Sequence, residues 1–152
     1  MKNELDLDHL FWKEMRDNPA FRTWFLGLTK FSEHALDLVT DEKWHQRWYT
    51  DPLNGKDSET DIVLLFKDRG NGDRYAIHIE NKPAHGKWEP NQAENYRRRA
   101  TNRKMKLRYV DFQIVLIAPT SFIERWPREV QQFDIAISYE DISTFIPEFK
   151  YD

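Results

Sequence analysis

The sequence predicts an α/β fold, in which a mixed central sheet is flanked by helices within a single domain covering residues 1–152. Two observations support this prediction. Apolar residues recur at helical spacing near the N-terminus, whereas short apolar runs separated by turn residues follow from residue 61 onward. Two further segments with helical character interrupt these runs, and such alternation is typical of layered α/β domains.

The first predicted element is a helix over residues 9–28, whose apolar residues are spaced mostly three and four apart. Asn18-Pro19 is expected to break and restart it, since proline suits the first turn of a helix. The segment FSEHALDLV is predicted to continue the helix by a turn or two. WHQRWYT (44–50) is predicted to form a strand, and DPLNGKDSET has the composition of a loop.

The next segments predict a β-hairpin. The apolar run DIVLLFKD (61–68) and the alternating RYAIHIENK (74–82) flank the turn RGNGD. A helix is then predicted from Pro90, in its first turn, to about residue 105. DFQIVLIAP (111–119) predicts a buried strand, FIERWPREVQQF a short helix broken near Pro127, and IAISYEDI (135–142) a final strand.

Composition excludes several classes of protein. The chain has no cysteine, which rules out disulfides and thiolate metal sites and favours a reducing compartment such as the cytoplasm. No apolar run approaches the roughly 20 residues needed to cross a bilayer. The net charge of −3 argues against a protein that merely coats nucleic acid. Residues 97–108 nevertheless hold seven basic and no acidic residues, which leaves 16 basic against 26 acidic residues elsewhere.

Three residues of the hairpin suggest chemistry. Glu80 and Lys82 are two apart in a strand and so project from the same face, and Asp61 begins the strand whose partner ends near Glu80. Two carboxylates suit a hard cation such as Mg²⁺ or Mn²⁺, with the backbone carbonyl of Asn81 as a further ligand. A neighbouring lysine can orient an attacking water and stabilise an anionic transition state. This set therefore suits phosphodiester hydrolysis.

The order of these residues resembles the motif of the PD-(D/E)XK nuclease superfamily: Asp61, an 18-residue interval, then Glu80-Asn81-Lys82. Thr60 precedes Asp61 where the motif has proline. The resemblance implies a restriction-endonuclease-like αβββαβ core and a metal-dependent nuclease, with DNA as the favoured substrate. Gln92 and Tyr96 resemble the Q-x-x-x-Y motif of the RecB and lambda-exonuclease-like branch, which implies that both face the active centre or the nucleic-acid backbone. That branch also implies an acid or histidine on the first helix, for which Glu33, then His34, are the candidates.

The basic cluster is predicted to contact nucleic-acid phosphates, because seven positive charges within 12 residues repel one another unless an anion is near. The predicted contact residues are Arg97 and Arg99, followed by Arg98, Arg103 and Lys104. A solvated face is the plainer interpretation of such a run. His78, on the strand face of Glu80, is expected to be packed rather than ligating, and Trp88 is the one tryptophan considered as a stacking platform.

Two other functions remain open. The chain could be a catalytically silent module that keeps the nuclease fold and binds nucleic acid or a protein partner, or a regulatory subunit of a larger assembly. The intact Asp61, Glu80 and Lys82 set argues against a decayed enzyme. The absence of an added recognition domain leaves specificity to homo-oligomerisation or to a partner protein.

Overall fold

The computed structural model describes residues 3–50 and 57–150. Its helices are α1 (Glu4–Asp17), α2 (Pro19–Gly27), α3 (Gln92–Leu107), α4 (Thr120–Arg125), α5 (Pro127–Val130) and α6 (Tyr139–Ile142), and a 3₁₀ helix spans Pro147–Phe149. Its strands are β1 (Leu36–Leu38), β2 (His45–Thr50), β3 (Asp57–Asp68), β4 (Arg74–Asn81), β5 (Asp111–Ala118) and β6 (Ile135–Ser138). The fold is therefore α/β, as predicted.

The strands in the described ranges form one six-stranded mixed sheet, in which five strands follow the order β1-β3-β4-β5-β6 and β2 pairs with β3 beside this path. The predicted hairpin is confirmed, because β3 and β4 pair antiparallel across the turn after Asp68. The short strand β1 and the strand β2 pair with opposite ends of β3, so β2 lies beside the N-terminal half of that strand. Parallel pairing of β4 with β5 and of β5 with β6 completes the sheet.

Alternate residues of the β3–β4 hairpin face different helices. Ile62, Leu64, Ile77 and Ile79 belong to the core that the sheet forms with α1 and α2, together with the buried Phe11. Val63, Leu65 and Ala76 face the other way and pack against the C-terminal end of α3. The hairpin is thus buried on both faces, which explains its nearly continuous apolar sequence. None of the helices in the described part of the chain is long and apolar enough to cross a membrane.

The break at Asn18 is confirmed and has a local cause. The Asn18 side chain accepts hydrogen bonds from the amides of Ala20 (3.0 Å) and Phe21 (3.3 Å), so it caps α2. Pro19 occupies the first turn, where its missing N–H costs nothing. Such a cap stabilises a helix by about 1 kcal/mol.

Several predicted boundaries are wrong. FSEHALDLV does not continue the helix: Thr29 hydrogen-bonds the Leu26 carbonyl (2.8 Å), which closes α2, and Leu36–Leu38 pairs with β3 instead. The predicted loop 51–60 is in part strand, since β3 begins at Asp57, and residues 51–56 lie outside the described ranges. The strand predicted for 135–142 ends at Ser138, whose hydroxyl accepts from the Asp141 amide (3.0 Å) and begins α6.

Helix α3 also starts later than predicted. It begins at Gln92 and ends at Leu107, so Pro90 lies in the preceding turn rather than in the first helical turn. The residue before the helix, Asn91, has a left-handed backbone with φ of 58°. The turn therefore changes the direction of the chain before the helix can begin. The resulting helix passes over β4 and β5 with its first half above the ends of those strands.

Candidate active site

Asp61 and Glu80 lie on the same face of the hairpin. The register pairs Ile62 with Ile79, so Asp61 and Glu80 follow one residue beyond this pair on the side that faces α3. Both side chains are buried, with 9% and 6% of their surface exposed. Asp61 does not open its strand as predicted, since β3 begins four residues earlier, but the inferred register agrees with the structure.

The carboxylate of Glu80 is held by a tyrosine and a lysine. The Tyr96 hydroxyl donates to Glu80 Oε2 and accepts a hydrogen bond from the Asp61 amide (3.3 Å). Lys82 Nζ lies 3.6 Å from Glu80 Oε1 and also donates to the Lys87 carbonyl. Its ammonium is 5.4 Å from the centre of the Trp88 ring. Lys82 is therefore fixed beside Glu80 at the exit of β4.

A backbone amide of β4 holds the Asp61 side chain. Its Oδ2 accepts a hydrogen bond from the Asn81 amide (2.9 Å), and the next amide, of Lys82, donates to the Ile117 carbonyl in β5 (2.9 Å). Successive peptides of β4 thus point to opposite neighbours. Because the N–H and C=O of one strand residue face the same side, the Asn81 carbonyl also points to the β3 side of β4.

Both carboxylates are held in surroundings that disfavour their charged forms. Burial, followed by the charge of Glu80, raises the pKa of Asp61 to about 10. Burial also raises the pKa of Glu80, although the hydrogen bond from Tyr96 and the charge of Lys82 oppose the rise. Two carboxylates in such a poorly solvated place do not both ionise readily without a cation. The positive charges of Lys82 and, more weakly, of Arg99 oppose the rise in the pKa of Glu80 without reversing it.

The donor set fits a hard divalent cation. Asp61 and Glu80 supply carboxylate oxygens, and strand geometry directs the Asn81 carbonyl to the same side as its amide, which bonds Asp61. Within residues 3–50 and 57–150, no three His, Asp or Glu side chains converge as a metal-ligand group. Mg²⁺ commonly takes only one or two protein carboxylates and keeps several waters, so a two-carboxylate set suits it.

The predicted third acid is not at this site. Glu33 is exposed in the turn after α2, and its neighbour His34 bonds Asp68 (Nδ1 to Oδ2, 2.9 Å) at the far end of β3. Asp68 lies seven residues further along β3 than Asp61, which is about 23 Å. The structure therefore corrects the placement of both Glu33 and His34, because the chain after α2 pairs with the opposite end of the hairpin.

Acids of α1 approach the site instead, and the sequence interpretation missed them. Glu4 raises the pKa of both Asp61 and Glu80, and Asp8 raises that of Asp61. Their i, i+4 spacing places Glu4 and Asp8 on one helical face. That spacing was a usable signal, but acids near a helix N-terminus usually only complement the helix dipole.

Only one residue of the Q-x-x-x-Y motif contacts the carboxylate pair. Tyr96 is buried and contacts Glu80, as the resemblance implied. Gln92 lies one turn earlier, where its Oε1 accepts a long hydrogen bond from the Glu89 amide (3.4 Å). It lines an adjacent cavity of about 370 Å³ together with Trp88. The structure therefore brings Tyr96, but not Gln92, into contact with the carboxylate pair.

The basic side chains predicted to contact phosphates point in different directions. Arg97 bonds Asp134 (Nη1 to Oδ1, 3.0 Å) and the Gln132 carbonyl, and Arg98 lies 3.6 Å from Glu94. Arg99 is buried, bonds Thr60 Oγ1 (3.1 Å) and stacks on Tyr96 at 4.2 Å from the ring centre. The two remaining candidates, Arg103 and Lys104, are half-buried. The cluster is not one uniform basic face.

Both His78 and Trp88 pack against neighbouring side chains, as was expected for His78 only. His78 is buried, with Nε2 3.3 Å from the Tyr109 hydroxyl, so it is packed as expected. Trp88 is partly buried against Phe122 and Phe133, with ring centres 5.3 and 6.1 Å away. These contacts favour a packing role for Trp88 over a stacking platform.

Comparison of the chain with protein-family models, with curated proteins and with solved structures found no match. The geometry around Asp61 and Glu80 is therefore the main basis for proposing what the protein does.

Proposed function

We propose that this protein is a metal-dependent nuclease that uses a PD-(D/E)XK centre in a restriction-endonuclease-like core. The main support is the juxtaposition of the buried Asp61 and Glu80, with Lys82 Nζ 3.6 Å from Glu80 Oε1. Burying two carboxylates, a lysine and a tyrosine together at the end of one strand does not by itself stabilise the fold. A site that binds a cation and a phosphate does need them.

In this proposal, Asp61, Glu80 and the Asn81 carbonyl hold Mg²⁺ or Mn²⁺. When bound, the cation lowers the pKa of a coordinated water and neutralises charge on the phosphate. Lys82 orients the attacking water and stabilises negative charge as it develops. Its fixed position, between Glu80 and the Lys87 carbonyl, reduces the reorganisation needed during reaction.

Tyr96 and the first helix have supporting roles. Tyr96 keeps Glu80 in one orientation through its hydroxyl, which also accepts from the Asp61 amide. In this proposal, an acid of α1 adds negative potential near the cation position, since the charge of Glu4 adds to the burial that raises the pKa of both Asp61 and Glu80. The substrate class that these residues favour is a nucleic acid, with DNA as the first candidate.

The test is a cleavage assay on linear and circular DNA and on RNA, with and without Mn²⁺. Glu80→Gln keeps an acceptor for Tyr96 but loses the charge, and Lys82→Met removes only the ammonium. Each is expected to reduce Mn²⁺-dependent cleavage by at least about 100-fold, the usual effect of losing one electrostatic contact to a transition state. Glu124→Gln, on the exposed face of α4, is the matched control.

Equal cleavage by Glu80→Gln and the parent protein would overturn the proposal. If no variant, including the parent, cleaves any substrate while the parent binds DNA with a steep salt dependence, the silent binding module becomes the better interpretation. Circular dichroism of each variant establishes that the fold is intact.

A further inference from the structure

A buried polar chain lies behind the carboxylate pair, on the opposite face of the sheet. Asp8 on α1 accepts from Asn81 Nδ2 through Oδ1 (2.8 Å) and lies 3.1 Å from His45 Nε2 through Oδ2. The Tyr139 hydroxyl on α6 donates to Asn81 Oδ1. Asp8, Asn81 and Tyr139 are 2%, 1% and 1% exposed, so this chain is sealed from solvent apart from His45.

Asn81 joins this polar chain to the candidate active site. Its side chain follows the face of Ile77 and Ile79, towards α1 and α6, while its backbone amide points along the sheet and donates to Asp61 Oδ2. Both ends of the carboxamide are fixed, one by Asp8 and the other by Tyr139. The peptide of Asn81 therefore has little freedom to rotate away from Asp61.

The arrangement is costly for a purely structural element. A carboxylate and an amide in the core lose hydration, and well-packed apolar residues of similar size are often equally or more stabilising. Asp8 also lies close enough to raise the pKa of Asp61, which adds unfavourable charge where two acids already meet. What the polar chain supplies, and apolar packing cannot, is a defined orientation of the Asn81 peptide.

We propose that Asp8, His45 and Tyr139 are positioning residues that orient Asn81, and through its backbone amide and carbonyl the Asp61 side of a divalent-cation site. This inference rests on the proposed function and assigns a role to the middle residue of the Glu80-Asn81-Lys82 triplet. His45 holds Asp8, Asp8 and Tyr139 hold the carboxamide, and the carboxamide holds the peptide that bonds Asp61. Partners that orient metal ligands typically contribute 10- to 100-fold to metal affinity.

Mn²⁺ binding, measured by calorimetry without any nucleic acid, tests this role directly. Asn81→Ala removes both side-chain bonds but keeps the backbone amide, and we expect about 10- to 100-fold weaker Mn²⁺ binding. Tyr139→Phe removes only the hydroxyl and should weaken binding in the same direction by a smaller factor. Asp8→Asn retains an acceptor for Asn81 Nδ2, so it should bind Mn²⁺ more tightly than Asp8→Ala.

A control variant separates positioning from loss of stability. Phe21→Leu weakens the buried core between α1 and α2, where the Phe21 ring meets Phe11 at 5.4 Å and Phe145 at 5.3 Å, and neither partner belongs to the polar chain. It should lower the melting temperature but leave Mn²⁺ affinity unchanged. If Asn81→Ala fails to fold, Tyr139→Phe and the two Asp8 variants still decide the question.

Two different failures can be distinguished. If the parent protein binds Mn²⁺ and all folded polar-chain variants bind it equally well, the positioning role is refuted while the proposed function stands. If the parent neither binds Mn²⁺ nor cleaves nucleic acid, the proposed function fails and this inference fails with it.

Discussion

Replacing Asp61 by asparagine should make the metal-free protein more stable, and increasingly so at higher pH. Burial and the neighbouring Glu80 raise the pKa of Asp61 from an ordinary 3.8 to about 10. Between these values the folded protein retains a proton that the unfolded chain releases. The contribution of Asp61 to stability is therefore fully present below about pH 4 and is lost as the pH rises towards 10.

The size of the effect follows from that pKa. One proton costs at most about 1.4 kcal/mol per pH unit, so raising the pH from 5 to 8 removes at most about 4 kcal/mol of stability. Partial solvation of the carboxylate when it ionises reduces this, and we expect about 2 kcal/mol. Asparagine cannot ionise, but its side-chain oxygen can still accept from the Asn81 amide. The stability of Asp61→Asn should therefore not fall in this way between pH 5 and 8.

Urea unfolding in the presence of a chelator, at several pH values between 5 and 8, measures the difference. Asp17→Asn is the control, because Arg16 lowers the pKa of the exposed Asp17 and this carboxylate stays ionised throughout the range. Burial lowers the pKa of His45, which makes stability rise with pH near neutrality, but His45 is common to all three proteins and cancels. Parallel pH profiles for the parent and Asp61→Asn would refute the reasoning.

Three further predictions concern single side chains. Tyr96→Phe loses the hydroxyl that donates to Glu80, so calorimetry should show about tenfold weaker Mn²⁺ binding, and unchanged affinity would contradict the contact. Glu33→Gln should leave Mn²⁺-dependent cleavage unchanged, because Glu33 is exposed at the other end of β3. A large loss of cleavage would instead show that Glu33 acts at the site, as the family resemblance implied. If the proposed DNA binding uses the basic cluster, Lys104→Gln should reduce its salt dependence by about one counterion, as measured by filter binding, and an unchanged slope would show that Lys104 does not contact a phosphate.

The β3–β4 hairpin could be predicted from the sequence because its signals are local. Alternation in Tyr75–Ile79 and the turn after Asp68 define the register, and the register alone puts Asp61 beside Glu80. Lys82 follows from the two-residue period of a strand. No knowledge of how the helices pack was needed for these three residues.

The contribution of the first helix could not be predicted in the same way. Helical periodicity shows which side of α1 is apolar, but not which end of the sheet the helix covers. Leu7 and Phe11 pack on the hairpin face that carries Ile79, and this docking brings Asp8 to Asn81. Glu33 does not lie near Asp61 and Glu80, because the chain after α2 leads into β1. This three-residue strand has too little periodicity to detect in the sequence.

The basic cluster shows why counting charges along a helix is insufficient. Consecutive helical residues point about 100° apart, so Arg97, Arg98 and Arg99 enter three different environments. Arg97 and Arg98 meet acids of the same chain. Arg99 is only 5% exposed, which leaves little surface for a phosphate.

The charge of Arg99 acts inside the protein instead. Its guanidinium stacks on Tyr96 and bonds Thr60 beside Asp61, and its charge slightly opposes the rise that burial causes in the pKa of Glu80. Because Tyr96 holds Glu80, stacking on one face of that ring also restricts the tyrosine that orients the carboxylate. The residue predicted to contact substrate thus packs against the candidate site through the buried face of helix α3.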